Sequence, residues 1–389
     1  MNKNSYICRY IDDNPDTWEK YFKEELDLNI NYATINKNYA VMSYKQTCDF
    51  YNPIVREARG IIVDVKNKSI VCWPFTKFGN YDCGYADEID WTTARVQEKL
   101  DGSIIKLWYN KSEDNWQFST NRCFSVWEAR IYNSTKTFGD LLKECSNFDE
   151  LIHKMKNLNK DLTYIFEVVS PENQIVIKYN ESKLYHIGTR NNITGEECNP
   201  DIGIEKPKEY KIATLGDCIK AVEAINPKNE TICHEGFVVV DGNYHRIKIK
   251  SPDYFYASRY LTKIHSTEGL LLALRQNMSL GETMKALRAA DAERIERFTQ
   301  YTKYLYKKAE AIYNKVKQLD QEGVPRKEIA ETLRSDDSLR RLSSIGFLYF
   351  RYKDIPKPTG EIVVDILNSL SKDTYVRLFE DIIPQEENK

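Results

Sequence analysis

Ser103-Ile-Ile-Lys-Leu-Trp-Tyr109, running straight out of Glu98-Lys99-Leu100-Asp101-Gly102, is the stretch from which the chain is best read. A short run rich in β-branched and aromatic side chains, opened by Asp-Gly, has the length and boundary of a strand leaving a turn. Runs of the same kind recur on both sides: Gly60-Ile-Ile-Val-Asp-Val65, Ser69-Ile-Val-Cys-Trp73, Tyr164-Ile-Phe-Glu-Val-Val169, Gln174-Ile-Val-Ile-Lys178, Gly236-Phe-Val-Val-Val240 and His245-Arg-Ile-Lys-Ile-Lys250. Many are bounded by Asn, Asp, Gly or Pro, and helix candidates such as Phe138 to Met155 lie between them. Strands and helices do not alternate regularly, so the pattern predicts a sheet-rich α+β domain and not a doubly wound sheet.

Beyond Leu261 the character changes. Ile295, Phe298, Leu305, Ala309, Ile312, Val316 and Leu319 recur at steps of three, four or seven, which places them on one face of a helix over 292–319. Gly323-Val-Pro325 ends that helix and another starts near Arg326; a second break falls at Asp354-Ile-Pro-Lys-Pro-Thr-Gly360. The expected organisation is an α+β domain over 1–262 and an all-helical domain over 263–389, with Pro384 to Lys389 a loose polar tail. In the helical part Arg288, Arg294, Arg297, Lys303, Lys307 and Lys308 are interleaved with Tyr301, Tyr304, Tyr306 and Tyr313. This is either an RNA surface or a solvated helix with half-buried tyrosines.

Composition excludes more than it selects. With 56 basic and 58 acidic residues the formal charge is −2, so any polyanion site comes from local clustering and not from the net field. Nine cysteines, an odd number without a CxxC pair, and five histidines argue against structural zinc and a disulfide framework. A cytosolic setting is the natural reading. No apolar run reaches the ~20 residues of a membrane span, and the start carries no signal-peptide core. Neither GxxxxGK[ST] nor GxGxxG occurs, which disfavours P-loop and Rossmann readings.

Lys99-Leu-Asp-Gly102 alone reads equally as a β-turn between strands. What gives it weight is the ordered set that follows: Glu167 inside an apolar strand, Glu235 ahead of Gly236, then Arg246-Ile-Lys248-Ile-Lys250. Residues two apart on a strand share a face, so Arg246, Lys248 and Lys250 project together, toward solvent as a charged edge or toward an anion. An amine is a nucleophile only when unprotonated, and its reference pKa is about 10.4. Lys248, Lys250 and a metal ion are expected to lower it at Lys99 and to stabilise charge on a phosphate under attack. Glu167, Glu235 and Asp101 supply hard oxygen ligands for Mg²⁺ or acceptors for a ribose hydroxyl.

These motifs resemble those of the covalent nucleotidyltransferases, the ligases and RNA-capping enzymes, and more closely the ATP-dependent RNA ligases of T-even bacteriophages and their thermophilic phage relatives. The similarity covers roughly residues 30–260. It implies a nucleotidyltransferase domain of the ATP-grasp-like, ligase-adenylation type. By it Lys99 is the adenylated nucleophile, Glu167 touches the ribose, Glu235 is linked to metal binding, and Lys248 and Lys250 contact the α-phosphate. Arg59 in Arg-Gly-Ile-Ile-Val and Lys77 in Pro-Phe-Thr-Lys-Phe-Gly-Asn hold the triphosphate, against a surface reading for either residue. Base recognition falls around Gln97 and Glu98, beside Lys99 and Asp101. The family's next basic position, a Lys or Arg after Ser or Thr, is met one residue late by Arg122 in Ser119-Thr-Asn-Arg-Cys. Phe78 packs near the nucleotide or in the core. The implied cofactors are ATP and Mg²⁺ or Mn²⁺. The implied partner is RNA with 5′-phosphate and 3′-hydroxyl ends, in RNA or tRNA repair. No membrane is involved, and the protein acts as a monomer in a bacterial or phage-infected cytoplasm. An mRNA guanylyltransferase or DNA ligase shares the lysine but usually carries an OB-fold after the last motif. A non-catalytic RNA-binding protein is the contrasting reading.

Overall fold

The computed structural model describes residues 4–131, 134–226, 232–264, 266–275, 289–335, 342–380 and 382–384. The chain separates into two compact units, Met1–Phe255 and Tyr256–Lys389. Among the described residues the first is built on fourteen strands: β1 Asn29–Tyr32, β2 Tyr39–Ser43, β3 Arg59–Asp64, β4 Ser69–Cys72, β5 Gly79–Asn80, β6 Arg95–Glu98, β7 Ser103–Asn110, β8 Asn115–Thr120, β9 Leu162–Val169, β10 Lys183–Asn191, β11 Glu197–Cys198, β12 Glu209–Tyr210, β13 Gly236–Val240 and β14 Arg246–Lys250. They form three sheets, in the orders β1-β2-β3-β4, β11-β10-β9-β7-β8 and β12-β6-β13-β14-β5. All pairings are antiparallel except β14 with the short β5. The α+β expectation is met, and the second unit is helical wherever it is described.

The unbroken apolar run of β3 has a packing reason. Ile61 and Val63 face a core shared with Ile7, Ile11 and Phe22 of the N-terminal helices α1 (Tyr6–Asp13) and α2 (Trp18–Glu24). Ile62 faces the opposite way, onto Trp108 of β7 and Phe124. A strand covered on both faces needs no polar alternation. The short helix α3 (Pro53–Glu57) precedes β3, capped by the Asn52 side chain with Pro53 in its first turn. β14 shows the opposite case. Ile247 and Ile249 enter a core with Val96, Phe237 and Val239, beside helix α6 (Leu215–Ala224), while Lys248 and Lys250 turn to the other side.

Two expected elements differ. Phe138 to Met155 is not one helix but two, α4 (Phe138–Glu144) and α5 (Phe148–Met155), with Cys145 extended between them. The break serves tertiary pairing. Ser146 N–H donates to the Ser182 carbonyl at 2.9 Å, and the Asn147 amide exchanges two hydrogen bonds with the Leu184 backbone. Gln174 to Lys178 is not a strand. The N–H groups of Val176 and Ile177 are given to the Asp101 carboxylate instead of a ladder, at 2.8 and 2.7 Å.

Helix α7 (Pro252–Ile264) follows β14 directly, and α8 spans Thr267–Arg275. In the second unit the long helix Ala289–Gln321 buries Ile295, Phe298, Leu305, Ala309, Ile312 and Val316, with Leu319 half-buried. Gly323, at φ +78°, turns the chain into the helix Arg326–Ser335, and the helices Ser343–Tyr352, Thr359–Ser369 and Lys372–Arg377 complete the unit. The interleaved tyrosines divide: Tyr313 belongs to the core, Tyr301 and Tyr306 are half-buried, and Tyr304 is exposed with Lys303 and Lys307. Arg288 and the tail over 385–389 lie outside the described residues. Among those described, no helix is long and apolar enough to cross a membrane.

Gly236 joins Glu235 to β13 at φ +138°, and a Cβ there meets the Ile249 carbonyl oxygen at 2.0 Å. Its own carbonyl accepts the Lys99 N–H at 2.9 Å. Gly236→Ala is therefore expected to cost about 1–3 kcal/mol from the backbone alone. Thermal unfolding should show a clear fall in Tm; a wild-type Tm would mean that the junction tolerates a side chain.

Candidate active site

A cavity of about 140 Å³ opens where the second and third sheets meet. Arg59, Glu98, Lys99, Glu167, Lys248 and Lys250 line it, together with Gln97 and Arg246. Its apolar walls are Phe75, Phe78, Leu100, Ile104, Ile187 and Val238. Strand geometry delivers these groups. β6 ends at Glu98 and pairs with β13, β14 pairs with the other edge of β13, and Lys99 follows in the loop before β7. Glu167 on β9 lies across from Ile104 of β7.

Glu235 stands behind the lining, almost fully buried, and ties it together. One carboxylate oxygen accepts from Lys99 Nζ at 2.8 Å, and the other forms an ion pair with Lys250 Nζ at 2.9 Å. Two ammonium groups that would repel each other are thus held side by side. The expectation that neighbouring cations depress the Lys99 pKa is corrected. Burial does oppose its charge, but Glu235, Glu167 and Asp101 together outweigh it and hold the pKa above the ordinary lysine value. The cation that is depressed is Lys248. Burial, helped by Lys77, Lys99, Arg59 and Lys250, pushes it down to about 7. Burial also pushes the Glu167 carboxyl up to about 7, with Lys99 opposing.

Asp101 is used differently from its expected place among the metal ligands. Its Oδ2 accepts from Val176 and Ile177, and its Oδ1 accepts from the Tyr254 hydroxyl at 2.6 Å. Its own N–H donates to the Tyr179 oxygen at 3.0 Å. Both carboxylate oxygens are engaged, so Asp101 fixes the loop carrying Lys99 instead of facing the cavity. Nothing local in the sequence pointed to Tyr179 or Tyr254, since each works only through residues distant in the chain.

The remaining expected residues divide. The Arg59 guanidinium stacks on Phe78, 5.0 Å from the ring centroid. Lys77 does not line the cavity. It is buried over the rings of Phe50 and Tyr44, at 4.1 and 4.7 Å, one residue from Phe78. Arg122 sits exposed in the turn after β8 and is absent from the lining. Arg246, on the same face as Lys248, is buried against Glu197 and Phe75. Glu98 lies 3.4 Å from His234 Nδ1, and Gln97 donates to Glu209 at 3.0 Å. Among the described residues, no three His, Cys, Asp or Glu side chains converge as a ready-made metal cage.

Residues 57–260 match the family description "RNA ligase", just over half of the chain, and the chain belongs to that family. It is 28% identical to a putative RNA ligase of Thermovibrio ammonificans, over 80% of this chain and 85% of that protein. It is 29% identical to a putative bifunctional polynucleotide kinase/RNA ligase of Autographa californica nuclear polyhedrosis virus, over 56% of this chain but only 34% of the viral protein. It is 24% identical to the RNA ligase of Rhodothermus phage RM378, over 44% of this chain and 47% of that one. Among solved structures, an archaeal ATP-dependent RNA ligase aligns at 11% identity and a TM-score of 0.42, covering 72% of this chain and 74% of the other.

Because Glu235 raises the Lys99 pKa, Glu235→Gln should lower it and leave more free amine at a given pH. An amine-directed reagent, with sites read by peptide mass spectrometry before nucleotide is added, should modify Lys99 faster and from a lower pH in the variant. An unchanged profile would show that Glu235 does not control the proton.

Proposed function

We propose that this chain is an ATP-dependent RNA ligase that joins a 5′-phosphate to a 3′-hydroxyl through a lysyl-AMP on Lys99. The single observation that carries this reading is the Lys99–Glu235–Lys250 bridge at the wall of a cavity rich in cations and apolar surface. In the first step Lys99 Nζ attacks the α-phosphorus, the bond to the bridging oxygen of the β-phosphate breaks, and pyrophosphate leaves. Lys99 first gives up a proton, so this step accelerates as pH rises toward its raised pKa. Lys248 and Lys250 stabilise the charge on the α-phosphate, and Arg59 and Lys77 hold the outer phosphates. AMP then passes to the RNA 5′-phosphate, and the 3′-hydroxyl displaces it. Ile187, Val238 and Phe78 offer apolar surface for adenine next to Gln97 and Glu98.

A divalent cation fits as one held by one or two carboxylates plus substrate phosphates, the manner usual for Mg²⁺. Glu167, which lines the cavity, is one oxygen donor, and Glu235 becomes another where phosphate oxygens take its paired lysine Lys250; Asp101, held by two backbone N–H groups and the Tyr254 hydroxyl, is not. When bound, the ion neutralises phosphate charge. Several features favour RNA ligation over the alternatives. The family match is to RNA ligases, and among the described residues no strand follows Lys250, where capping enzymes and DNA ligases usually add an OB-fold. All nine cysteines are free, in keeping with a reducing cytoplasm, and one copy carries the entire cavity, in keeping with a monomer. We assign residues 1–262 to nucleotidyl transfer and 263–389 to a separate helical domain.

Incubation with α-labelled ATP and a divalent cation should leave acid-labile, base-stable label on the protein, as a phosphoramidate requires, and labelled GTP should not. Lys99→Ala should abolish the label. Persistent labelling of that variant would remove Lys99 as the nucleophile, and label from GTP alone would favour a capping enzyme.

Lys248, with its pKa near 7, should take up a proton when the triphosphate binds. Its proton is mostly absent above pH 7 before binding and is retained once phosphate oxygens face it. Titration calorimetry of a non-cleavable ATP analogue at pH 8, in buffers of different ionisation enthalpy, should report net proton uptake that Lys248→Met reduces. Equal uptake by both proteins would place the proton elsewhere.

A further inference from the structure

Lys106 is buried without any exposure in the middle of β7, and among the described residues no carboxylate pairs with it. Its Nζ donates instead to the Gly60 carbonyl. Burial pushes its pKa down to about 8, with Arg59 among the groups adding to the fall. A lysine costs free energy in such a place, and an apolar side chain of its length fills the same space without that cost.

The carbonyl it holds belongs to a bulge. β2 and β3 pair as Met42 with Ile61 and Ser43 with Arg59, so Gly60 is the extra residue, at φ +81°. Only glycine fits there: a Cβ would lie 2.5 Å from Asn121 Cα and 2.8 Å from Lys106 Nζ. Bulges re-aim the side chain beside them, and here that side chain is Arg59 at the cavity wall. Its Nη1 is buried without a hydrogen-bond partner among the described residues, and its contact in the cavity is the face of Phe78. Lys106 and Ser119 are paired across β7 and β8, so Lys106 lies one strand over from the turn in which Arg122 points to solvent.

We propose that Lys106 is a positioning residue for the triphosphate: by holding the Gly60 carbonyl at the bulge it sets Arg59 toward the outer phosphates. This rests on the reading of Arg59 as a triphosphate ligand. Lys106 touches no substrate itself, so its effect belongs to steps that need the triphosphate and not to steps that start from adenylated RNA.

The test uses the full chain with Lys106→Met, Arg59→Ala and the double variant, scored for the KM for ATP in self-adenylation and for sealing of pre-adenylated RNA. Lys106→Met should raise the KM for ATP about tenfold, the scale of one lost hydrogen bond from a charged donor, and leave sealing within about twofold. In the double variant it should add little to Arg59→Ala, because one effect passes through the other. Equal losses in both assays, or multiplicative losses in the double variant, would overturn the proposal in favour of a general structural role. If Arg59→Ala itself harms both assays equally, the reading of Arg59 fails; if it is selective for ATP while Lys106→Met is not, only the role of Lys106 fails. Should Lys106→Met not fold, by circular dichroism, the buried ammonium of the natural chain is followed by nitrogen-15 NMR. A non-cleavable ATP analogue should shift that resonance in the natural chain and not in Arg59→Ala; a resonance unmoved in the natural chain, or moved equally in both, overturns the proposal.

Discussion

A single carboxylate, that of Glu235, pairs with the ammonium groups of Lys99 and Lys250 at nearly equal distances. The rest of the site depends on it. Lys99 comes from the loop after β6, Glu235 from the residue before β13, and Lys250 from the end of β14. Without the shared anion, two half-buried ammonium groups would face one another unpaired. With it, the three strands close on one another, and charge is distributed unevenly around the cavity. Lys99 keeps its proton, Lys248 has lost much of its hold on one, and Glu167 sits near neutrality. Pairs of titratable groups pushed apart in this way are what proton-dependent chemistry uses.

Asp101 performs the equivalent task for the loop itself. Two backbone N–H groups from 176–177 and one hydroxyl from Tyr254 converge on its oxygens. A buried carboxylate satisfied by three donors is rigid. Here it connects the turn carrying Lys99 to a segment some seventy-five residues later and to the first turn of α7. The same interaction explains why Gln174 to Lys178, apolar and of strand length, is not a strand: its donors were already committed. Lys106 is a second buried charged group whose partner is backbone, the Gly60 carbonyl beside Arg59.

The sequence by itself determined the features that depend on local periodicity. Alternation along Arg246-Ile-Lys-Ile-Lys250 fixed which side chains enter the core and which face the cavity, because pleating puts neighbours on opposite faces. The apolar stripe from Ile295 to Val316 fixed a helical face, and Asp101-Gly102 marked the turn. The ordered lysines and glutamates were legible as one group, and the cavity and its wall bring Lys99, Glu167, Glu235, Lys248 and Lys250 together. Only the tertiary structure decided the rest. Whether Lys99 sits nearer to cations or to carboxylates depends on distances across three strands, so its pKa moved opposite to the expectation from motif content. Whether Asp101 meets a metal or backbone depends on which donors reach it first. Arg122 lies in the turn after β8 and Lys106 on the neighbouring β7. Packing sent one to solvent and the other beneath Arg59, because the direction of a side chain out of a turn or bulge is set by what the sheets press against it.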